Sequence, residues 1–166
     1  MRVALADDSA LFREGLAMLL GAAGVEIVGQ ASNADALLEQ IAADPPDVAI
    51  IDVRMPPTFT DEGLAAAERI RATHPEVGVL VLSTYAETPY AVRLLGDGRR
   101  GTGYLLKDRV DDLSALLDAL RRIAAGGLVV DEEIVARLLA HRRRAAALDR
   151  LTERERAVLQ QMAEGR

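Results

Sequence analysis

Three carboxylates, a hydroxyl and an ammonium stand at one kind of place in this sequence, the polar end of a short apolar run. Asp7 and Asp8 follow VALA, Asp52 closes VAIID, Ser83 and Thr84 follow VLVL, and Lys107 follows YLL. Runs this short and this rich in Val, Leu and Ile suit strands buried on both faces of a parallel sheet. In such sheets the carboxyl ends of the strands converge on one crevice, where ligands bind. Taken singly, each residue is ordinary. Asp-Asp-Ser before a helix is common capping, an aspartate closing a strand is a common turn former, and a lysine after a strand is usually solvated. Their joint placement at four strand ends on one side of a sheet is not ordinary, and it suits a divalent cation and a phosphoryl group.

The expected chemistry follows from the donor types. Mg²⁺ takes oxygen ligands in near-octahedral geometry and commonly uses only one or two carboxylates. Asp8 and Asp52 are expected to bind it directly and Asp7 through a water, with a loop carbonyl near Arg54 completing the shell. Without a cation, clustered carboxylates repel one another and raise at least one pKa. An ionised Asp52 can attack a phosphoryl donor and form an aspartyl-phosphate. Lys107 and the metal would then hold two phosphoryl oxygens and the Ser83 hydroxyl a third. Arg54 and Tyr85, each two residues beyond a site residue, are bulky and are expected to flank the phosphoryl group.

Strand and helix patterns that could position these residues alternate about five times between residues 2 and 125. Strands are expected near 2–6, 25–32, 47–52, 77–83 and 102–107. Ser9 can cap a first helix that carries Leu11, Phe12, Leu16, Leu19 and Leu20, with Gly21 and Gly24 ending it. A second helix, ADALLEQIAA, stops at Asp44-Pro45-Pro46, and a third spans about 62–73 after a loop with Pro56-Pro57. Pro89 fits the first turn of a fourth helix closed by Gly96 and Gly98. A fifth, about 111–125, is amphipathic. Strands joined by helices of this length imply right-handed crossovers and a doubly wound α/β sheet. The expectation is a five-stranded, flavodoxin-like parallel sheet of order 2-1-3-4-5, followed by C-terminal linker helices.

The pattern changes after Gly126-Gly127. Asp131-Glu132-Glu133 opens a further helix, with acids near its positive N-terminal end. Arg142-Arg143-Arg144 reads as a solvated helix end or linker, and Thr152 with Glu155 as a capping box that starts one more helix. The expected organisation is a domain over 1–125, a linker with a helix over 126–150, and the start of another domain over 151–166.

Composition narrows the function classes. The 166 residues are half hydrophobic and only 3% aromatic, so Leu, Ala and Val build the core. Cysteine is absent, which removes disulfides and thiolate metal sites and fits a reducing cytoplasmic setting. No apolar run approaches the roughly 18 residues of a membrane span, and the short apolar stretch in MRVALADD reads as a strand rather than a signal peptide. A net charge of −6 opposes non-specific nucleic-acid binding by the chain as a whole.

With these residues in place, residues 1–125 resemble the response-regulator receiver domains of two-component signalling. The resemblance rests on the acidic pair Asp7-Asp8, Asp52, Ser83, Tyr104 and Lys107. It implies Asp52 as phosphoacceptor, Ser83 and Tyr104 as a switch pair, Mg²⁺ as cofactor, a sensor histidine kinase as donor, and homodimer formation on phosphorylation. Such a domain is a switch that promotes only its own phosphoryl transfer and hydrolysis, not an enzyme. GYLLKD at 103–108 and LTERERAVLQQMAEG at 151–165 resemble the NarL/LuxR-type transcriptional regulators in particular, where Asp108 rather than proline follows the lysine. The latter segment is similar to the opening of their helix-turn-helix domain. The sequence stops at Arg166, before a recognition helix, so the expectation is a truncated DNA-binding domain and no specific DNA binding by this chain.

Two other readings compete. An aspartate-nucleophile phosphatase of the haloacid dehalogenase type needs a general acid two residues after the nucleophile. Arg54 stands there and cannot donate a proton at neutral pH. A pseudo-receiver, a phosphorylation-independent interaction module, would share the fold. Magnesium-dependent labelling by a small phosphoryl donor separates all three.

Overall fold

Apolar runs that end in polar residues become the strands of one parallel sheet. The structure is a computed structural model and describes residues 1–96 and 100–165. The strands are β1 (Arg2–Ala6), β2 (Glu26–Ala31), β3 (Val48–Asp52), β4 (Gly78–Ser83), β5 (Thr102–Leu106) and β6 (Leu128–Val130). The helices are α1 (Ala10–Ala22), α2 (Ala34–Ala43), α3 (Glu62–Thr73), α4 (Thr88–Leu95), α5 (Leu113–Ala124) and α6 (Glu132–Gly165). The sheet order is β2-β1-β3-β4-β5-β6, and every pairing is parallel.

Strand alternation divides the core into two layers. Val3, Leu5, Val48, Ile50, Leu80 and Leu82 face α1 and α5, where they meet Leu16, Leu20, Leu116 and Leu120. Ala4, Ala6, Ala49, Ile51, Val79 and Val81 face the opposite side, against Leu37, Leu64, Ile70 and Leu94. Strands buried on both faces need no polar positions, which is why they read as continuous apolar runs.

Two expectations change at the C-terminal side. The sheet has six strands instead of five, because Leu128–Val130 pairs in register with Thr102–Tyr104. Three residues after a glycine pair are too few to show a period, so this strand was hidden in what reads as a linker. The expected second linker helix, starting at Thr152, is instead continuous with the first, since α6 runs unbroken from Glu132 to Gly165. An Ala-, Arg-, Glu- and Leu-rich stretch favours helix at nearly every position, and a cap forms only where the chain leaves the helix. The Thr152 side chain, and the apolar side chains expected beyond it, lie outside the described residues, as does Gly98.

Elsewhere the expected signals act as read. Ser9 accepts from the Phe12 N–H (3.3 Å) at the start of α1, and Asn33 accepts from the Ala36 N–H (2.8 Å) at the start of α2. Pro89 lies in the first turn of α4. Between β5 and α5 the structure inserts a short 3₁₀ turn, Lys107–Asp111, which delays the last helix to Leu113. Among the described residues the one cis bond is Pro56–Pro57, so Lys107–Asp108 is trans.

The long loop after β3 is organised by Glu62. Its carboxylate accepts from the N–H groups of Thr58 (2.7 Å) and Thr60 (3.0 Å) and from the Thr58 hydroxyl. The Thr58 hydroxyl first, and then these N–H groups, pull its pKa down to about 2. Beside it, the Gly63 N–H donates to the Val53 carbonyl (2.8 Å). A Cβ at Gly63 would lie 1.7 Å from the Asp52 carbonyl oxygen, so the first turn of α3 sits directly on the backbone that carries Asp52. Gly63→Ala is therefore expected to cost about 3 kcal/mol or more, the upper range for overpacking a tight site. Urea denaturation of the variant measures this, and an unchanged midpoint would mean that α3 shifts freely.

Candidate functional site

Register brings the polar strand ends together. Ala6 pairs with Ile51, Asp52 with Leu82, and Ser83 with Leu106. Asp7, Asp52, Ser83 and Lys107 therefore emerge side by side along the carboxyl edge. The strand order reverses between β1 and β3, which places Asp7 and Asp52 at the switch point of the sheet, the position where doubly wound folds bind ligands.

The side chains converge as the sequence predicts. Carboxylate oxygens of Asp7, Asp8 and Asp52 all lie within 4.8 Å of one another. Asp7 and Asp52 are buried, whereas Asp8 is exposed. The Lys107 ammonium reaches Asp7 Oδ2 at 2.9 Å and Asp52 Oδ2 at 3.4 Å. The other Asp7 oxygen, Oδ1, accepts from the Ser9 N–H (2.9 Å). Hard oxygen donors in this number suit a Mg²⁺ ion, which would leave part of its shell to water.

Electrostatics differ between the partners. Burial pushes the Asp52 pKa from its ordinary 3.8 up to about 6, with the Asp7 charge adding to the rise and Lys107 opposing it. Burial alone would lower the Lys107 pKa, but the carboxylates of Asp7 and Asp52 outweigh it and hold the ammonium above its usual range.

Ser83 and Tyr104 are neighbours in the interior. The Ser83 hydroxyl donates to the Tyr85 carbonyl (2.6 Å) and accepts from the Tyr85 N–H (3.3 Å). Tyr104 is fully buried, and among the described residues its hydroxyl makes no hydrogen bond of good geometry. Burial raises its phenol pKa, with the adjacent Ser83 hydroxyl offsetting part of the rise. The Tyr104 ring occupies the interior. Of the two residues expected to flank the phosphoryl group, the Arg54 guanidinium is engaged by Glu87 and Tyr85 is 65% exposed.

Three contributors escaped sequence reasoning. The Phe12 ring lies under the Lys107 ammonium, 4.6 Å from its centroid, at cation–π distance. Arg13 donates to the Asp7 carbonyl (2.6 Å), and Gly63 supports Asp52 from below. Phe12 and Arg13 follow the helical period of α1, and nothing in that period marks them as neighbours of a strand end.

Comparison with known proteins agrees with this geometry. Residues 3–123 match the response regulator receiver domain family. The chain is 37% identical to NarL of Mycobacterium tuberculosis, over 99% of this chain and 74% of that protein. It is 32% identical to the oxygen regulatory protein NreC of Staphylococcus haemolyticus, over 84% of this chain but only 62% of that longer protein. The solved signal receiver domain of the mycobacterial NarL is 36% identical, superposes with a TM-score of 0.60, and covers 72% of this chain and 95% of its own. The isolated receiver domain of RcsB from Salmonella enterica, solved with a phosphomimetic beryllofluoride, is 25% identical with a TM-score of 0.68, covering 83% of this chain and 97% of its own. With the acidic cluster, the lysine and the doubly wound sheet in one place, this chain belongs to the response regulator receiver domain family.

Proposed function

We propose that the chain accepts a phosphoryl group on Asp52 from a sensor histidine kinase and, in the intact protein, uses it to control transcription. The family's general role is phosphorylation-activated signalling, a switch rather than a classical enzyme. The observation that carries the assignment is the Asp52 carboxylate beside Asp7 and Asp8, with the Lys107 ammonium 3.4 Å away. In the proposed organisation, residues 1–125 form the receiver, 126–150 link it onward, and 151–166 open a helix-turn-helix domain. DNA is then contacted only through that domain, and phosphorylation favours a homodimer. Among the described residues no helix is long and apolar enough to cross a membrane, and a cytoplasmic location belongs to the proposal.

In the proposed transfer, an ionised Asp52 oxygen forms a bond to phosphorus as the donor's bond to phosphorus breaks, and the donor leaves with that electron pair. Positioning and neutralisation of charge dominate such transfers. Lys107 holds one phosphoryl oxygen and the Ser83 hydroxyl another, once it gives up the Tyr85 carbonyl. Asp7, Asp8, Asp52 and the Arg54 carbonyl would hold Mg²⁺, which when bound neutralises the carboxylates and the incoming phosphoryl oxygens. Three carboxylates against one ammonium leave a formal charge of −2 when all are ionised, a deficit that suits a divalent ion. The phosphatase reading is disfavoured, because Arg54, at the general-acid position, is tied to Glu87.

Incubation with Mg²⁺ and acetyl phosphate is expected to add one phosphoryl mass to the parent and none to Asp52→Asn, whose amide is nearly isosteric. Mass spectrometry reads this directly, and undiminished single-site labelling of the variant would move the acceptor elsewhere. For the metal, Asp8→Ala is expected to weaken Mg²⁺ binding by about tenfold or more, the equivalent of about 1.4 kcal/mol, and by more than Asp7→Ala does. Asp7 is occupied by Lys107, whereas Asp8 is exposed. Isothermal titration decides the order, and the reverse order would overturn the ligand assignment.

The raised Asp52 pKa has a stability consequence in metal-free buffer. Between the unfolded 3.8 and the folded value of about 6, the folded state binds more protons, so the parent loses stability as pH rises through this window. The full difference corresponds to about 3 kcal/mol. Asp52→Asn removes the buried charge and is expected to unfold at a higher temperature than the parent at pH 7.5 in EDTA. That gain should shrink below pH 6 and vanish near pH 4. Thermal scans across this range measure it, and a gain independent of pH would refute the titration.

A further inference from the structure

The residues that pin Lys107 lie on both sides of the family boundary. Lys107 opens the 3₁₀ turn Lys107–Asp111, a type of helix with weak hydrogen bonds of its own. Within the turn Asp108, Arg109 and Asp111 are exposed, and Val110 alone packs against the core. Besides the contacts of Lys107 with Asp7, Asp52 and Phe12, a restraint on the turn comes from Asp131, eight residues past the last position that matches the family. The Asp131 side chain is 1% exposed, and it accepts a forked pair from Arg109, with Nε to Oδ2 at 2.9 Å and Nη2 to Oδ1 at 3.4 Å. It also accepts from the N–H of Leu106 (3.5 Å), immediately before Lys107, and from the N–H of Glu133 (3.0 Å) in the first turn of α6. Its own N–H donates to the Tyr104 carbonyl (2.9 Å).

Asp131 is therefore one buried group bonded to the strand that carries Tyr104, the turn that carries Lys107, and the helix that leaves the domain. That helix is seated firmly at this point. Ile134 is buried in the same core layer as Tyr104, Leu106, Ala91 and Leu94, so α6 covers α4 from its first turn onward. A forked arginine–carboxylate pair restricts orientation as well as distance. Movement of the turn must either carry α6 with it or break the pair, and breaking it strands a buried carboxylate.

We propose that Asp131 and Arg109 form a positioning pair for Lys107 that mechanically couples the phosphoacceptor site to α6. This rests on the phosphoacceptor reading of Asp52 and deepens it. Neither residue touches the reacting atoms; they act by holding the turn from which the ammonium reaches Asp7 and Asp52. Because coupling between two sites is reciprocal, what loosens α6 at Asp131 must weaken anion capture at Lys107, and capture of the anion must alter α6.

The test uses the whole chain with Mg²⁺ and beryllofluoride as the phosphoryl mimic. Arg109→Gln is the main variant, because the Arg109 side chain is half exposed and its loss leaves the core intact. It is expected to weaken beryllofluoride binding by about fivefold, the lower range for coupled sites. Arg109→Lys, which restores one charge-assisted contact without the fork, should recover part of the loss. In the parent, beryllofluoride should change backbone hydrogen exchange across 134–141, and Arg109→Gln should abolish that response. Unaltered affinity in Arg109→Gln, with or without a lower melting temperature, would reduce the pair to a structural contact and overturn the proposal. So would an α6 response as large as the parent's. Failure of the parent to bind beryllofluoride, or equal binding by Asp52→Asn, would instead sink the phosphoacceptor reading beneath it.

Discussion

The Lys107 ammonium, seated between the carboxylates of Asp7 and Asp52 and over the face of Phe12, is the contact on which the rest of the carboxyl edge depends. Carboxylates brought this close by sheet register would otherwise repel with little water to screen them. One ammonium offsets part of that repulsion, yet burial first and the Asp7 charge second keep the Asp52 pKa high despite its cationic neighbour. The edge is thus built incomplete in charge. Its ground state is tolerable in a folded protein, yet it gains from any added cation, and this combination suits a site that must stay open until a ligand arrives.

Positioning this cluster demands more of the backbone than of the side chains. Asp7, Asp52 and Lys107 come from three strands whose relative heights are set by parallel ladders, so a one-residue slip would carry any of them out of reach. The ladders in turn are held by apolar layers on both faces. Below Asp52 there is no slack, because α3 meets the strand end through the one residue type without a Cβ. The ion pair therefore rests on a rigid edge, while the loops around it carry the adjustable groups.

Much of this was legible in the sequence, for a physical reason. A strand buried on both faces must be apolar throughout, so its polar terminus stands out, and Asp7, Asp52, Ser83 and Lys107 were all found in that way. What escaped is what depends on tertiary contact or on very short elements. Phe12 obeys the helix period whether or not an ammonium lies above it. Arg109 and Asp131 are separated by 22 residues, and each reads as a surface charge or a cap until the sheet brings them together. Leu128–Val130 is a strand only because β5 offers it an edge. The Thr152–Glu155 signature resembles a helix start, yet the chain does not leave the helix before it.

The border of the site is unevenly built, and the unevenness has a direction. On the α1 side, Phe12 lies against the Lys107 ammonium and Arg13 donates to the Asp7 carbonyl, both from a 13-residue helix with its own cap. On the α4 side the helix has only 8 residues and no side-chain cap, a length that is unstable without tertiary support. Its anchors there are ion pairs, Arg54 with Glu87 and Arg93 with Asp61 and Glu68, and exposed pairs of this kind contribute roughly 0–1 kcal/mol each. Apolar burial at Ala91 and Leu94, backed by Ile134 of α6, does most of the holding. A rearrangement at Ser83 or Lys107 meets least resistance toward α4, and α6 is the element packed directly upon it. The softer wall of the site is thus the one that α6 covers, the helix to which the proposed coupling leads.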